Sequence, residues 1–271
     1  MSWVAGVDGC RGGWIVVLVE YKNRAMRKHS LKLCPTFADI LALDPQPAVI
    51  AIDMPIGLLD TPQPGGRECD RQARKLLGRK ASSIFTPPTR PMLKATHYEQ
   101  VRTRGLSIQS FNILPKIREV DRLMTPELQT RIHEAAPELA FMMLAGAPMR
   151  YNKKTQEGRE ERRQALRRWL LPDRTTGKYD NVILSKAKNL FSHQFEERFF
   201  TPLRSVQNDR HSVRKTLQSR RPFPRSLVAQ DDLLDAYALA WTAMRINRGE
   251  AKQLPTPPPV DAKGLKMEIW R

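Results

Sequence analysis

Four aspartates, Asp8, Asp53, Asp232 and Asp235, are the residues with which this chain could do chemistry. Asp8 is the first charge after Trp3-Val4-Ala5-Gly6-Val7, and Asp53 the first after Ala48-Val49-Ile50-Ala51-Ile52. Both runs read as buried strands. Asp is depleted from strand interiors, so each aspartate is expected to close its strand. If the strands are neighbours, two carboxylates meet at one edge of a sheet, where ligands of α/β proteins bind. Downstream, Asp231-Asp232-Leu233-Leu234-Asp235 opens a long apolar helical pattern, and positions 232 and 235 share one helical face. Two carboxylates about 4 Å apart repel by roughly 4 kcal/mol at an effective dielectric near 20. A divalent cation removes that cost, and oxygen-only ligands suit Mg²⁺ or Mn²⁺ rather than Zn²⁺. Two such ions about 3.5–4 Å apart clamp the attacking water and the leaving oxygen of a phosphodiester.

Each acid also has a plainer reading. An Asp at a strand end is a common turn-former. Asp231 has the place of an N-cap, and Asp232 or Asp235 would equally favour the positive end of a helix. Glu134 and Glu138 flank Pro137 as helix-start charges or as further ligands. His133, beside Glu134, has no second histidine at metal-ligand spacing and reads as structural. Lys153-Lys154 and the Arg159–Arg168 run read most simply as a solvated face. Gly9, Gly12 and Gly13 are explained by a hairpin alone.

The elements that must gather these residues are legible in outline. Trp3–Val7 and Trp14–Glu20 flank Asp8-Gly9-Cys10-Arg11-Gly12-Gly13, which suits a hairpin connection, and Arg27–Leu33 is a weaker third strand. Thr36–Leu43 spaces Phe37, Ile40 and Leu41 as a short helix, before the strand that Asp53 closes. A loop rich in Pro and Gly follows, then a helix from Arg67 to Leu77 stopped by Gly78. Helical patterns cover roughly Lys94–Arg104 and Phe111–Leu123. Arg131–Glu134 ends a strand, Pro137 begins a helix to Ala145, and Thr155–Leu170 is a highly charged helix. Leu227–Ile246, with Leu233, Leu234, Tyr237, Leu239, Ala240 and Trp241, carries the broadest apolar stripe.

Composition sets the limits. A chain of 271 residues that is 41% hydrophobic can bury a sizeable core. Its longest clean apolar run, Trp14 to Val19, is far too short to span a bilayer, so no membrane partner is expected. The N-terminus shows no signal-peptide pattern, and three cysteines without metal-ligand spacing suit reduced thiols in the cytoplasm. The net charge of +18 favours polyanions, with nucleic acid the expected partner. Segment 181–225 alone holds ten Lys or Arg against Glu196, Glu197 and Asp209. It lacks a sustained period and is expected to be a disordered or surface excursion within a single domain at 1–250. The Pro-rich tail at 251–271 is expected to be an extended linker to a short apolar stretch near Met267–Trp270.

Four phrases taken together resemble a known family: Val7-Asp8-Gly9-Cys10-Arg11-Gly12-Gly13-Trp14, Ile52-Asp53-Met54-Pro55-Ile56-Gly57-Leu58, Ala81-Ser82-Ser83-Ile84-Phe85-Thr86-Pro87-Pro88 and Asp231-Asp232-Leu233-Leu234-Asp235-Ala236. It is the predicted RNase H-like nuclease family catalogued as domain of unknown function 429. The likeness continues through Arg67–Lys80, Gln109–Asp121 and Glu134–Phe141, whereas Val182–Leu190 and Arg198–Arg204 resemble translated bacterial intergenic repeats. The resemblance implies an α/β fold of the RNase H type, with a mixed five-stranded sheet, its first three strands antiparallel, and helices on both faces. It implies Asp8, Asp53, Asp232, Asp235 and Glu134 as catalytic candidates, with Asp8, Asp53 and Asp235 binding Mg²⁺ or Mn²⁺. Where family members commonly carry a histidine, this chain has Ala136.

Metal-dependent hydrolysis of a phosphodiester in nucleic acid is the expected activity. Arg71, Arg74, Arg79, Lys80 and Lys116 are the expected phosphate contacts. Two alternatives stand beside it. One is a nucleotide-dependent phosphotransferase or ATPase of the related actin-like fold; the other is a non-catalytic nucleic-acid-binding module.

Overall fold

The computed structural model describes residues 2–22, 25–103, 105–170 and 222–271. The excursion expected at 181–225 lies outside them, apart from residues 222–225. Five strands form one mixed sheet: β1 (Ser2–Cys10), β2 (Gly13–Lys22), β3 (Ala25–Cys34), β4 (Val49–Ile52) and β5 (Ile132–Glu134). The order across the sheet is β3-β2-β1-β4-β5. The first three strands are antiparallel neighbours, while β4 runs parallel to β1 and β5 parallel to β4. That is the sheet expected from the sequence.

Side chains alternate across the sheet because successive residues of a strand point to opposite faces. Val4, Val17, Val19, Val49 and Ala51 share one core with α6 (Pro137–Ala145), α7 (Gln156–Leu170) and α8 (Gln230–Asn247). Ala5, Val7, Val16, Leu18, Ile50 and Ile52 share the other with α1 (Phe37–Leu41) and α5 (Leu114–Leu123). The short helices α3 (Glu99–Arg102) and α4 (Ile108–Asn112) precede α5, and α2 (Glu68–Leu77) packs with α6 in a third, smaller cluster. A slip of one residue would exchange these faces, so burial on both sides fixes the register.

Three expectations are revised. The helix expected over Lys94–Arg104 shrinks to Glu99–Arg102, after a 3₁₀ turn over Arg90–Lys94, and the Gln100 side chain reaches back to accept the Thr96 N–H at 2.8 Å ahead of the helix start. The strands of the first hairpin run further than expected, from Ser2 to Cys10 and from Gly13 onward, leaving Arg11-Gly12 as the turn. Asp8 therefore lies inside β1, opposite Ile15, and does not close it. Last, the Pro-rich tail is packed against the domain. Leu265, Met267 and Ile269 are buried, β6 (Gln253–Leu254) pairs with β7 (Ile269–Trp270), and Asp261 accepts from Leu58 N–H while pairing with Arg90. Apolar side chains at alternate positions in a Pro-rich segment can fill a groove that a solvated linker would leave open.

Helix α8 governs the site because of how closely it lies on β1. A Cβ added at Gly6 would stand 2.0 Å from the carbonyl oxygen of Ala236 and 2.1 Å from the backbone nitrogen of Ala240. Only glycine on the strand, faced by alanines on the helix, allows that approach.

Candidate active site

Strand parity decides which carboxylates meet. Val4, Gly6 and Asp8 point to the α8 face of β1, as Val49 and Ala51 do on β4, and Asp53 continues that series one residue past the strand. The Asp53 N–H bonds the Val7 carbonyl at 3.0 Å, which ties the two acidic positions together across the parallel pair. From above, the first turns of α8 bring Asp232 and Asp235. Asp235 is completely buried, whereas Asp232 is partly exposed and accepts from Ala229 N–H at 3.0 Å. The helix-cap role and the site role thus coexist in Asp232.

The carboxylates sense one another. Burial, then the charges of Asp53 and Asp235, push the Asp8 carboxyl well above the usual range. Burial drives Asp53 up to about 7, against the pull of Lys153 and with the push of Asp235. Asp235 rises to about 6 through burial, opposed by Lys153. Burial also raises Asp232, while its bond from the Ala229 N–H lowers it.

Lys153 is the cation that sequence reasoning missed. Its Nζ lies 2.7 Å from Asp235 Oδ2, and burial of the amine is outweighed by Asp235 and Asp8, which hold the ammonium above its ordinary range. It was expected on a solvated face; instead a built loop aims it inward. Arg150 and Tyr151 donate their N–H groups to Glu161 of α7, and Lys154 N–H bonds the Asn152 side chain. Thr155 Oγ1 caps α7 by accepting from Gly158 N–H at 3.1 Å. A Cβ on Gly158 would sit 1.9 Å from the Asn152 carbonyl oxygen, so the loop can close on the helix only over a glycine. Arg162, from the same charged run, is also buried, paired with Glu138 at 2.8 Å. The signals were the glycines: Gly6 inside a strand pattern and Gly158 inside a charged helix each mark a close backbone approach.

Glu134 has a different environment. Its carboxylate takes both arms of Arg67 (2.6 and 2.7 Å) and the Ile56 N–H at 2.7 Å. Arg67 also pairs with Asp70 and donates to the carbonyls of Ile56 and Gly57. Burial raises Glu134 to about 7 against the lowering pull of Arg67. Glu134 therefore fastens the loop that leaves Asp53, with its oxygens engaged by Arg67 and Ile56. His133 is buried against Trp270, edge to face, with Glu268 nearby, in keeping with a structural role.

A cleft of about 490 Å³ opens over Asp8, Asp53 and Asp232. Lys116, Arg11 and Arg225 bring positive charge to its walls, and Phe85 and Ile113 bring apolar surface. Of the expected phosphate contacts, Lys116 lines this cleft. It donates to the Gly13 carbonyl and lies 4.5 Å over the Trp14 ring. Arg71 is engaged by Glu68 and the Gly66 carbonyl, and Arg74 by Ile84, Gly65 and Thr86. Lys80 donates to the Tyr151 carbonyl, and Arg79 is exposed. None of these four lines the cleft. Arg11 and Arg225 do, and neither was singled out from sequence.

The donor chemistry fits a hard divalent cation. Asp8, Asp53 and Asp235 offer only oxygen, and Asp235 Oδ1 is buried without a hydrogen-bond partner. As the side chains stand, no group of three or more His, Cys, Asp or Glu among the described residues is disposed to hold an ion. The Lys153 ammonium is the counter-ion present in this arrangement.

No helix among the described residues is long and apolar enough to cross a membrane. No curated protein and no solved structure matches the chain. A family model described as protein of unknown function (DUF429) matches residues 6–260, nearly the whole length, and the chain belongs to that family.

Proposed function

We propose that this protein is a metal-dependent nuclease of the RNase H-like kind, hydrolysing phosphodiester bonds in nucleic acid. One observation carries the reading: the buried carboxylates of Asp8 and Asp235 and the partly buried one of Asp53 gather on one face of the sheet beneath a cleft with basic walls. Buried like charges persist where a cation or a reacting group needs them, and clefts with shifted acids are where such chemistry concentrates. Asp8, Asp53 and Asp235 would hold Mg²⁺ or Mn²⁺, which supplies an activated water and polarises a phosphoryl oxygen when bound. Asp232, at the cleft wall, assists by orienting water from its capped position. Lys116, Arg11 and Arg225 receive the phosphates, and Phe85 offers a face on which an unpaired base can stack. Glu134 acts from behind, keeping the Asp53 loop in place through Arg67. A cytoplasmic location, suggested by three unpaired cysteines, belongs to the same proposal.

The test is a panel of single- and double-stranded DNA and RNA, incubated with Mg²⁺, Mn²⁺ or EDTA. Cleavage with metal, abolished by EDTA and by Asp8→Asn, is the expected result. Absence of cleavage of every substrate by folded protein with Mn²⁺ refutes the reading. Stabilisation by ATP with Mg²⁺ would then favour a phosphotransferase, and salt-sensitive nucleic-acid binding without turnover a binding module.

A further inference from the structure

We infer that Lys153 permanently replaces one of the two divalent cations, so that the site takes a single metal ion beside a fixed ammonium. This rests on the nuclease reading above and specifies how many ions it uses. The ammonium lies 2.7 Å from Asp235 Oδ2, while Oδ1 of the same carboxylate is buried without a partner. One oxygen is thus taken by a protein cation and the other left without a partner.

Charge balance points the same way. The three proposed ligands Asp8, Asp53 and Asp235 carry three negative charges when ionised; the nearby Glu138 is already cancelled by Arg162, and Asp232 stands at the cleft wall together with Arg11, Lys116 and Arg225. The ammonium neutralises one charge and a single divalent ion the other two. A second divalent ion would leave a buried excess of positive charge beside a lysine, an unfavourable state in a low-dielectric site.

Lys153 is also held where it is. Glu161, Asn152 and Thr155 order the loop, and Gly158 lets it press against α7. Long lysine side chains lose rotamer freedom when fixed in this way, so pre-ordering of the loop supports a persistent rather than incidental contact.

The experiment counts Mn²⁺ bound to the full chain by isothermal titration calorimetry and by equilibrium dialysis, with folding checked by circular dichroism. Wild type is expected to bind one Mn²⁺ per chain, Lys153→Arg one, and Lys153→Met two. Two ions in wild type, or one in folded Lys153→Met, overturns the inference while leaving the nuclease reading intact. Binding of no Mn²⁺ by wild type and Lys153→Met overturns both. If Lys153→Met does not fold, Lys153→Gln replaces it, and a count of two in wild type still refutes the inference. A purely structural ion pair would alter melting temperature without altering the count.

Discussion

Replacing Gly6 by alanine should damage the site without touching any charged residue. The added methyl would lie 2.0 Å and 2.1 Å from backbone atoms of α8, whereas Cβ contacts below 3.0 Å are essentially never tolerated. Backbone cannot swing aside like a side-chain tip, so the helix must retreat from β1 by about 1 Å or more. Overpacking of this sort costs about 1–3 kcal/mol, and two backbone clashes place Gly6→Ala near the upper end. For a chain of this size, about 3 kcal/mol corresponds to a fall in Tm of roughly 5–10 °C. The same retreat lifts Asp235 and Asp232 away from Asp8, so Mn²⁺ binding should weaken along with stability. Differential scanning fluorimetry with and without Mn²⁺ reads both effects, the second as a smaller metal-induced rise in Tm. A Gly6→Ala protein melting within about 2 °C of wild type would show that α8 does not rest on β1 through this glycine, and the account of how the acids are gathered would fail.

Three other outcomes follow from the same geometry. Asp53, raised from 3.8 to about 7, contributes stability that is present below its unfolded value and lost as pH rises through 7. Metal-free Asp53→Asn should therefore match wild type near pH 4 and melt higher at pH 8; a Tm difference that does not grow with pH refutes this. Arg67→Met leaves Glu134 and Asp70 buried without their partner, and should cost about 3–5 kcal/mol. Urea unfolding would show this as a lower midpoint with an unchanged slope, and Arg67→Lys should not restore it, because a single ammonium cannot reproduce the bidentate fork. Lys116→Ala should weaken nucleic-acid binding uniformly across sequences and reduce the salt slope by about one; an unchanged slope removes Lys116 from the phosphate contacts.

Local pattern was sufficient for much of this architecture. The apolar run Trp14–Val19, the spacing of Phe37, Ile40 and Leu41, Pro137 at a helix start and the stripe from Leu233 to Trp241 are decided by neighbours in the chain. The strands and most helices could therefore be read directly, and so could the four aspartates as candidates. Elements set by distant packing were read less well. The Lys94–Arg104 pattern breaks at a 3₁₀ turn, and the Pro-rich tail docks through Asp261 and Ile269.

The sequence by itself determined which carboxylates stand at or near strand ends and which face of the last helix is apolar, because period two and period 3.6 are properties of local backbone geometry. Tertiary structure alone decided that Glu134 faces Arg67, that Arg71 and Arg74 hold loops, and that Lys153 enters the acid cluster. A charge is solvated or buried according to what packs above it, and for Lys153 that depends on a residue 82 positions away. Close approach at Gly6 and Gly158 set those distances, and a glycine in a sequence does not say which backbone will come to meet it.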